Sequence, residues 1–282
     1  MSEKLVIAIQ GERGSYSEQA ASQLLGPEIE VSCCEYFEEV FQCTANKNAT
    51  HCLIPIENSL SGSIHKNYDL LLRYDLKITR EINLPVEHNL IAAPGVKFEE
   101  VEIVISHPVA LDQCGRFFEE NPRLTKRSAY DTSGSVKRIV EQDLKNLAAI
   151  AGERAAKHHG GEILITGIQD NPENFTRFFL LAREPEGGDS QNKTSIVFSF
   201  KNTPGALFKC LSVFALRDID LYKIESRPIP GRAWEYLFYM DFLGNPEEEA
   251  PRKALGHLDE LTEFLEVLGS YPRDTTLEKK RI

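Results

Sequence analysis

One local pattern recurs through the first two thirds of this chain and constrains its fold more than any other feature. An apolar strand runs into a short loop rich in Gly, Ser or Thr, and the loop opens a helix. Lys4 to Gln10 reads as a strand, Gly11-Glu12-Arg13-Gly14 as a tight turn, and Ser15-Tyr16-Ser17 leads into a helix over Glu18 to Leu25. Glu30 to Cys34 is a second strand and Phe37 to Asn46 a helix. Cys52 to Ile56 is a strand that stops at Glu57-Asn58-Ser59, after which Leu60-Ser61-Gly62-Ser63 continues the turn and helix resumes over Asn67 to Arg73. Strands alternating with helices predict a parallel sheet. In such sheets ligands bind beyond the carboxyl ends of strands, which is where Gly11 to Ser17 and Glu57 to Ser59 fall. Free amides at a helix start attract anions, with Ser15 or Ser17 as the cap. The glycines form neither GxGxxG nor a P-loop, and a plain strand-to-helix turn is an equal reading of the segment.

The pattern then repeats. Lys77 to Leu84 is extended, Pro85 is a crossing point, and His88 to Ala93 is a strand closed by Pro94-Gly95. Val101 to Ile105 ends at Ser106-His107-Pro108, with helix over Ala110 to Glu120. Arg127 to Tyr130 ends at Asp131-Thr132-Ser133-Gly134-Ser135, with helix from Val136. Leu147 to Ala151 is followed by helix over Gly152 to His158. Two α/β lobes follow: lobe one spans about 1–83 and 165–185, and lobe two, about 84–164, is inserted within it. A cleft between such lobes is lined by backbone amides and hydroxyls, a cradle for carboxylates.

The chain returns to lobe one through Gly167 to Arg183. Here Asp170 to Asn174 is a polar turn, Thr176-Arg177 follows, and Phe178 to Ala182 is a short buried strand. Thr donates a hydrogen bond without carrying charge, and Arg forks onto a carboxylate. The pair suits an acidic substrate that must lose an oxygen leaving group; an exposed Thr-Arg at a strand start is the plainer alternative. Thr176 sits at the start of its strand, so it reaches the functional edge only if that strand runs antiparallel to its neighbours.

Glu184 to Ser190 reads as a linker between a first domain over 1–185 and a second over 193–272. In the second, Thr194 to Phe200 is a strand, Asn202-Thr203-Pro204-Gly205 a turn and Ala206 to Leu216 a helix. Ile219 to Arg227 is a strand ending at Pro228, with a turn at Pro230-Gly231. Trp234 to Leu243 is a strand, Pro251 to Leu265 a helix and Glu266 to Tyr271 the last strand. The order βαββαβ is that of a ferredoxin-like unit.

The formal net charge of −11 argues against nucleic acid or an anionic membrane as partner, and it requires a locally positive pocket for an anionic substrate. No apolar run spans a bilayer and none near the N-terminus resembles a signal peptide. The six cysteines include no CxxC pair, which speaks against zinc. A cytoplasmic protein with reduced thiols is expected.

In order along the chain, Gly11 to Ala20, Pro55-Ile56-Glu57-Asn58-Ser59, Ser106-His107-Pro108, Asp131-Thr132 and Asn174 to Phe178 resemble the prephenate dehydratase family. Thr176-Arg177-Phe178 resembles its signature. The second domain resembles the small regulatory ACT module, with Gly205-Ala206-Leu207-Phe208 and Glu225-Ser226-Arg227-Pro228 similar to its two phenylalanine-binding motifs. The likeness implies a two-lobed, periplasmic-binding-protein-like catalytic domain and a monofunctional enzyme without a chorismate mutase domain. Two departures stand out: Val109 where Gln is usual, and Ser133-Gly134-Ser135 where small apolar residues are usual.

The resemblance further implies conversion of prephenate to phenylpyruvate, carbon dioxide and water, with no cofactor and no metal. Thr176 would support the departing hydroxyl, Arg177 would hold a carboxylate, and Phe178 would complete the catalytic triplet. Ser15, Glu57, Asn58, Ser59, Gly62, Ser106, His107, Gln113 and Thr132 would line the substrate; His107 reads equally as a turn histidine capping a helix. Glu57 would repel an anion unless paired. Phenylalanine, as effector, would meet Asn202, Gly205, Ala206, Leu207, Phe208, Glu225, Ser226, Arg227 and Pro228, although Leu207 also fits a helix core. A homodimer or homotetramer is implied. Competing readings are an arogenate dehydratase on the same scaffold, a non-catalytic two-lobed binding protein, and an amino-acid sensor resting on the last domain alone.

Overall fold

The structure is a computed structural model that describes residues 5–185, 191–229 and 231–277. Lys4, residues 186–190 of the expected linker, and Pro230 of the expected Pro230-Gly231 turn lie outside the described residues. The chain divides into two compact units: Met1–Leu70 with Ile82–Phe178, and Leu71–Glu81 with Phe179–Ile282.

In the first unit, β1 (Val6–Gln10) pairs in parallel with β2 (Glu30–Cys34) and β3 (His51–Asn58). Helices α1 (Tyr16–Leu25), α2 (Phe37–Ala45) and α3 (His65–Arg73) follow the strands. Ile7, Ile9, Phe41, Leu53 and Ile54 are wholly buried between them. The turn after β3 is a hairpin onto β4 (Gly62–Ser63). The sheet order is β2-β1-β3-β11-β5, and of β5 (Lys77–Pro85) and β11 (Phe175–Ala182) residues 82–85 and 175–178 belong to this unit.

The second lobe holds β6 (Asn89–Ala92), β7 (Ile103–Ser106), β8 (Thr125–Ser128), β9 (Leu147–Ala151) and β10 (Glu162–Ile165), in the order β10-β6-β9-β7-β8. Its parallel part, β7 with β8 and β9, fits the expectation. However, β6 and β10 run antiparallel, so the sheet is mixed. The helix expected over Ala110 to Glu120 is two helices, α4 (Pro108–Asp112) and α5 (Gly115–Glu120). The break has a cause. Asp170 accepts the amides of Gly115 and Arg116 at 2.9 Å, satisfying a fresh helix start. Gln113 is thereby left at the junction as the C-cap of α4. Helices α6 (Thr132–Glu141) and α7 (Glu153–His159) complete the lobe.

The two lobes meet at their loops. At Gly14, where φ is +81°, an added Cβ would lie 2.9 Å from Ala155 Cα, so only glycine lets the α1 turn come this close. Glu12 N donates to Asp131 Oδ2 at 3.2 Å, Ser133 Oγ donates to the Arg13 carbonyl at 2.5 Å, and Gln10 Nε2 donates to Tyr130 Oη at 2.9 Å.

The second unit contains β12 (Lys193–Ser199), α8 (Ala206–Ala215), β13 (Leu221–Pro228), β14 (Tyr236–Leu243), α9 (Glu249–Leu261) and β15 (Phe264–Tyr271). The sheet is antiparallel, ordered β13-β14-β12-β15, which is the ferredoxin-like arrangement expected from the sequence. Its core joins Ile196, Phe198, Phe214, Met240, Phe242 and Leu258.

Candidate active site

Between the two lobes of the first unit lies a cavity of about 710 Å³. It collects the loops that the sequence pattern singles out. Of the expected substrate residues, Ser15, Asn58 and Gly62 line it from one side, and His107, Gln113 and Thr132 from the other, together with Thr176. Ser15 also caps α1, accepting Glu18 N at 3.3 Å. The two readings of His107 are both realised: it lines the cavity, and its Nδ1 accepts Val109 N at 3.3 Å.

Thr176 is at the cavity because β11 runs antiparallel to its neighbours. Its first residues meet the last of β3, with Ser59 N bonded to the Phe175 carbonyl at 2.8 Å, and the far end of β5, with Val86 N bonded to the Asn174 carbonyl at 2.8 Å.

Other expected residues are placed elsewhere. Arg177 is absent from the cavity lining and only 9% exposed, because neighbouring side chains on a strand point to opposite faces. Phe178, two residues on from Thr176, is buried in the core. Ser106 is fully buried and donates to the Ile150 carbonyl at 2.6 Å. Ser59 ties the loop before β11, donating to the Glu173 carbonyl at 3.1 Å and accepting Phe175 N at 3.0 Å. Glu57 sits in the β3–β4 hairpin opposite Ser63, outside the lining. In the second unit, Gly205 starts α8 with φ 78°, and Phe208 is 75% exposed. Glu225, Ser226, Arg227 and Pro228 lie on the edge strand β13. Asn202 Nδ2 donates to the Trp234 carbonyl at 3.4 Å, linking the turn before α8 to the loop after β13.

The hydrogen-bond polarity around Thr176 follows from two backbone amides. Asn58 Oδ1 accepts Leu60 N at 3.1 Å and Ser61 N at 2.9 Å, so that atom is the amide oxygen. Asn58 Nδ2 then faces Asn174 Oδ1 at 2.8 Å, the Phe175 carbonyl at 3.0 Å and Thr176 Oγ1 at 3.0 Å. Because an amide nitrogen only donates, Thr176 Oγ1 meets it as an acceptor, sharing the two Nδ2 hydrogens with Asn174 Oδ1 and the Phe175 carbonyl, and this contact leaves the Thr176 hydroxyl hydrogen uncommitted at the cavity. Asn174, with its oxygen engaged, donates from Nδ2 to Gln113 Oε1 at 2.9 Å. Gln113 Nε2 reaches Ser61 Oγ at 3.1 Å and Asn58 Oδ1 at 3.3 Å.

Lys66 is the one lysine or arginine among the described lining residues; Glu35 and Asp131 are the carboxylates. Burial raises Asp131 above the ordinary carboxylate range, opposed by the amides of Gly134 and Glu12. Burial also holds His88 and His107 below the usual imidazole value, and raises Tyr16 well above a normal phenol. Tyr16, Lys66 and His88 were not identified from the sequence as site residues. Tyr16 stands between two flagged serines, but Lys66 on α3 and His88 at the head of a strand carry no local motif.

A family model described as prephenate dehydratase matches residues 7–186. The chain belongs to that family and is a lyase. Arogenate dehydratase/prephenate dehydratase 2 of Arabidopsis thaliana, a chloroplastic protein, is 47% identical over 96% of this chain and 74% of that one. Among solved structures, the prephenate dehydratase of Arthrobacter aurescens in complex with L-Phe superposes with a TM-score of 0.88 at 29% identity, over 95% of this chain and 90% of that one. A protein described as GqqA, a novel type of quorum quenching acylase, superposes at 0.87 with 31% identity, over 95% and 98%. No helix among the described residues is long and apolar enough to cross a membrane.

Replacing Asn58 by Asp keeps shape but turns the donor beside Thr176 into an acceptor, drawing the Thr176 hydrogen away from the cavity. Asn58→Asp is expected to lower kcat by at least about 10²-fold, the lower range for a lost proton donor, with a lowered melting temperature as well, because the new oxygen also faces Asn174 Oδ1 and the Phe175 carbonyl. Steady-state kinetics beside a thermal melt check this.

Proposed function

We propose that the enzyme converts prephenate to phenylpyruvate, and that the Thr176 hydroxyl is the group supporting loss of the ring hydroxyl. The observation that carries this reading is the Thr176 hydroxyl at the cavity, its oxygen 3.0 Å from an amide nitrogen that can only donate to it. In the reaction the bond from ring to carboxylate breaks and its electron pair enters the ring. The carbon–oxygen bond opposite breaks, and the oxygen, held by the Thr176 hydroxyl, takes one proton from solvent and leaves as water, while carbon dioxide departs. Aromatisation drives the step, and a hydrogen bond to the departing oxygen lowers its barrier.

Lys66, not Arg177, is the cation suited to a carboxylate, because it is the one that lines the cavity. A lone cation also suits the chemistry. It anchors the side-chain carboxylate and leaves the ring carboxylate free to lose its charge. Holding both carboxylates tightly would stabilise the ground state and oppose decarboxylation. Lys66→Gln is therefore expected to raise KM about tenfold, the loss of an exposed charge-assisted contact, while kcat changes little; a fall in kcat at constant KM would contradict this role.

Arogenate is the second candidate substrate. It is favoured by the name of the 47% identical relative and by Glu35 and Asp131 in the lining, which suit an ammonium group. Acyl transfer with Thr176 as the nucleophile would need a base on its oxygen. The partner there is the amide nitrogen of Asn58, which accepts no proton.

The βαββαβ unit is proposed to be an ACT module that binds L-phenylalanine and inhibits the enzyme in a dimer or tetramer. Support comes from the Gly205 and Glu225–Pro228 motifs and from the L-Phe complex of the Arthrobacter enzyme. Inhibition requires the effector to favour one of two global states. Phenylpyruvate from prephenate and phenylalanine from arogenate are to be measured side by side, with and without added phenylalanine. A higher kcat/KM on prephenate, suppressed by phenylalanine, is expected. Turnover of arogenate alone would reassign the substrate, and turnover indifferent to phenylalanine would remove the regulatory role.

A further inference from the structure

The polar chain behind Thr176 does not end at Gln113. Gln113 Oε1 also faces His88 Nε2 at 2.9 Å. On its other side, His88 Nδ1 lies 2.8 Å from Tyr16 Oη, which is itself 2.7 Å from the Glu87 carbonyl. His88 is 2% exposed, and its backbone is pinned on both sides: its N–H donates to Gln169 Oε1 at 2.9 Å and its carbonyl accepts Ile168 N at 2.8 Å.

The amides of Leu60 and Ser61 fix the oxygen of Asn58, and that choice passes through Asn174 to Gln113. Gln113 must present its oxygen to His88, so His88 must present a hydrogen from Nε2. The opposite tautomer would set a lone pair against the Gln113 oxygen. Relieving that clash by turning Gln113 would set its oxygen against Asn58 Oδ1 and its nitrogen against Asn174 Nδ2. The choice can therefore be disturbed from the His88 end, with Thr176 at the other end of the same chain.

We propose that His88 is a positioning residue for the reaction, whose Nε2–H fixes the amide of Gln113 and, through Gln113 and Asn174, holds Asn58 in its place beside the Thr176 hydroxyl. The role concerns polarity more than charge, because neutral and protonated forms of His88 both donate from Nε2. Tyr16 serves either form, donating to Nδ1 in the neutral ring and accepting from it in the charged one while its own hydrogen turns to the Glu87 carbonyl. The proposal rests on the role given to Thr176.

Three variants of the full chain and one measurement on the unaltered protein test it. His88→Leu removes the donor. His88→Gln restores an N–H near the Nε2 position, and His88→Glu has the same shape with no donor when ionised. His88→Leu and His88→Glu are expected to lower kcat about 10²-fold, the scale of a misplaced catalytic group, with KM changed less than threefold or so. His88→Gln is expected to recover at least about tenfold of that loss. Equal losses in the Gln and Leu variants, at wild-type melting temperature, would overturn the proposal, as would full activity in His88→Leu. Should the variants fail to fold, nitrogen-15 shifts of the imidazole in the wild-type protein decide. A hydrogen on Nε2 supports the role, and a neutral Nδ1–H ring excludes it. This readout is independent of turnover, so it separates failure here from failure of the dehydratase assignment.

Discussion

Two backbone amides at the end of β3 fix the chemistry of this cleft. By taking the Asn58 oxygen, Leu60 N and Ser61 N force the amide nitrogen toward Thr176. A threonine hydroxyl is a weak acid, and left alone it would donate to whichever acceptor lay nearest. Here its oxygen meets an amide nitrogen that can only donate, which leaves the hydroxyl hydrogen free of that contact and available to the cavity. Electrostatic preorganisation of this kind incurs no reorganisation during the reaction. It depends on the hairpin of β3 and β4 and on the antiparallel entry of β11, which together bring Asn58 within 3.0 Å of Thr176.

Around that pair the cleft offers hydroxyls, amides and helix starts in preference to fixed charge. The protein carries a net charge of −11, yet one lysine lines the cavity. An abundance of cations would hold a dicarboxylate firmly and make loss of one carboxylate harder. For the proposed substrate, sparse charge and many dipoles would instead provide binding while letting its charge fall. The approach of the two lobes at their loops depends on Gly14, where the α1 turn comes nearer to Ala155 than a side chain would permit.

Much of this was legible in the sequence. The repeated strand, hydroxyl loop and helix start pointed to two lobes and to the loops that line the cavity. From the sequence, Thr176 reaches those loops only if the return strand runs antiparallel, and the structure meets the condition. The βαββαβ order of the second unit was readable from alternation and turn residues. What was not legible depended on which way side chains point and on partners distant in sequence. Thr176 and Arg177 are neighbours in the sequence but on a strand they face apart, so one lines the cavity and the other is buried. Asp170 splits the helix expected over Ala110 to Glu120 from more than fifty residues away, and that split is what places Gln113 at the chain of amides. His88 and Lys66 enter the site through packing, with no motif of their own.

The most direct measurement is turnover of prephenate by Thr176→Val and Thr176→Ser beside the wild type. Valine keeps the shape and removes the hydroxyl; serine keeps the hydroxyl and loses a methyl. If the hydroxyl supports the departing oxygen, valine lowers kcat by about 10²–10⁴-fold, the contribution typical of a positioned proton donor, with little change in KM, and serine retains most of the rate. Comparable kcat in the valine variant and the wild type would contradict the account at its centre, whatever the binding data showed.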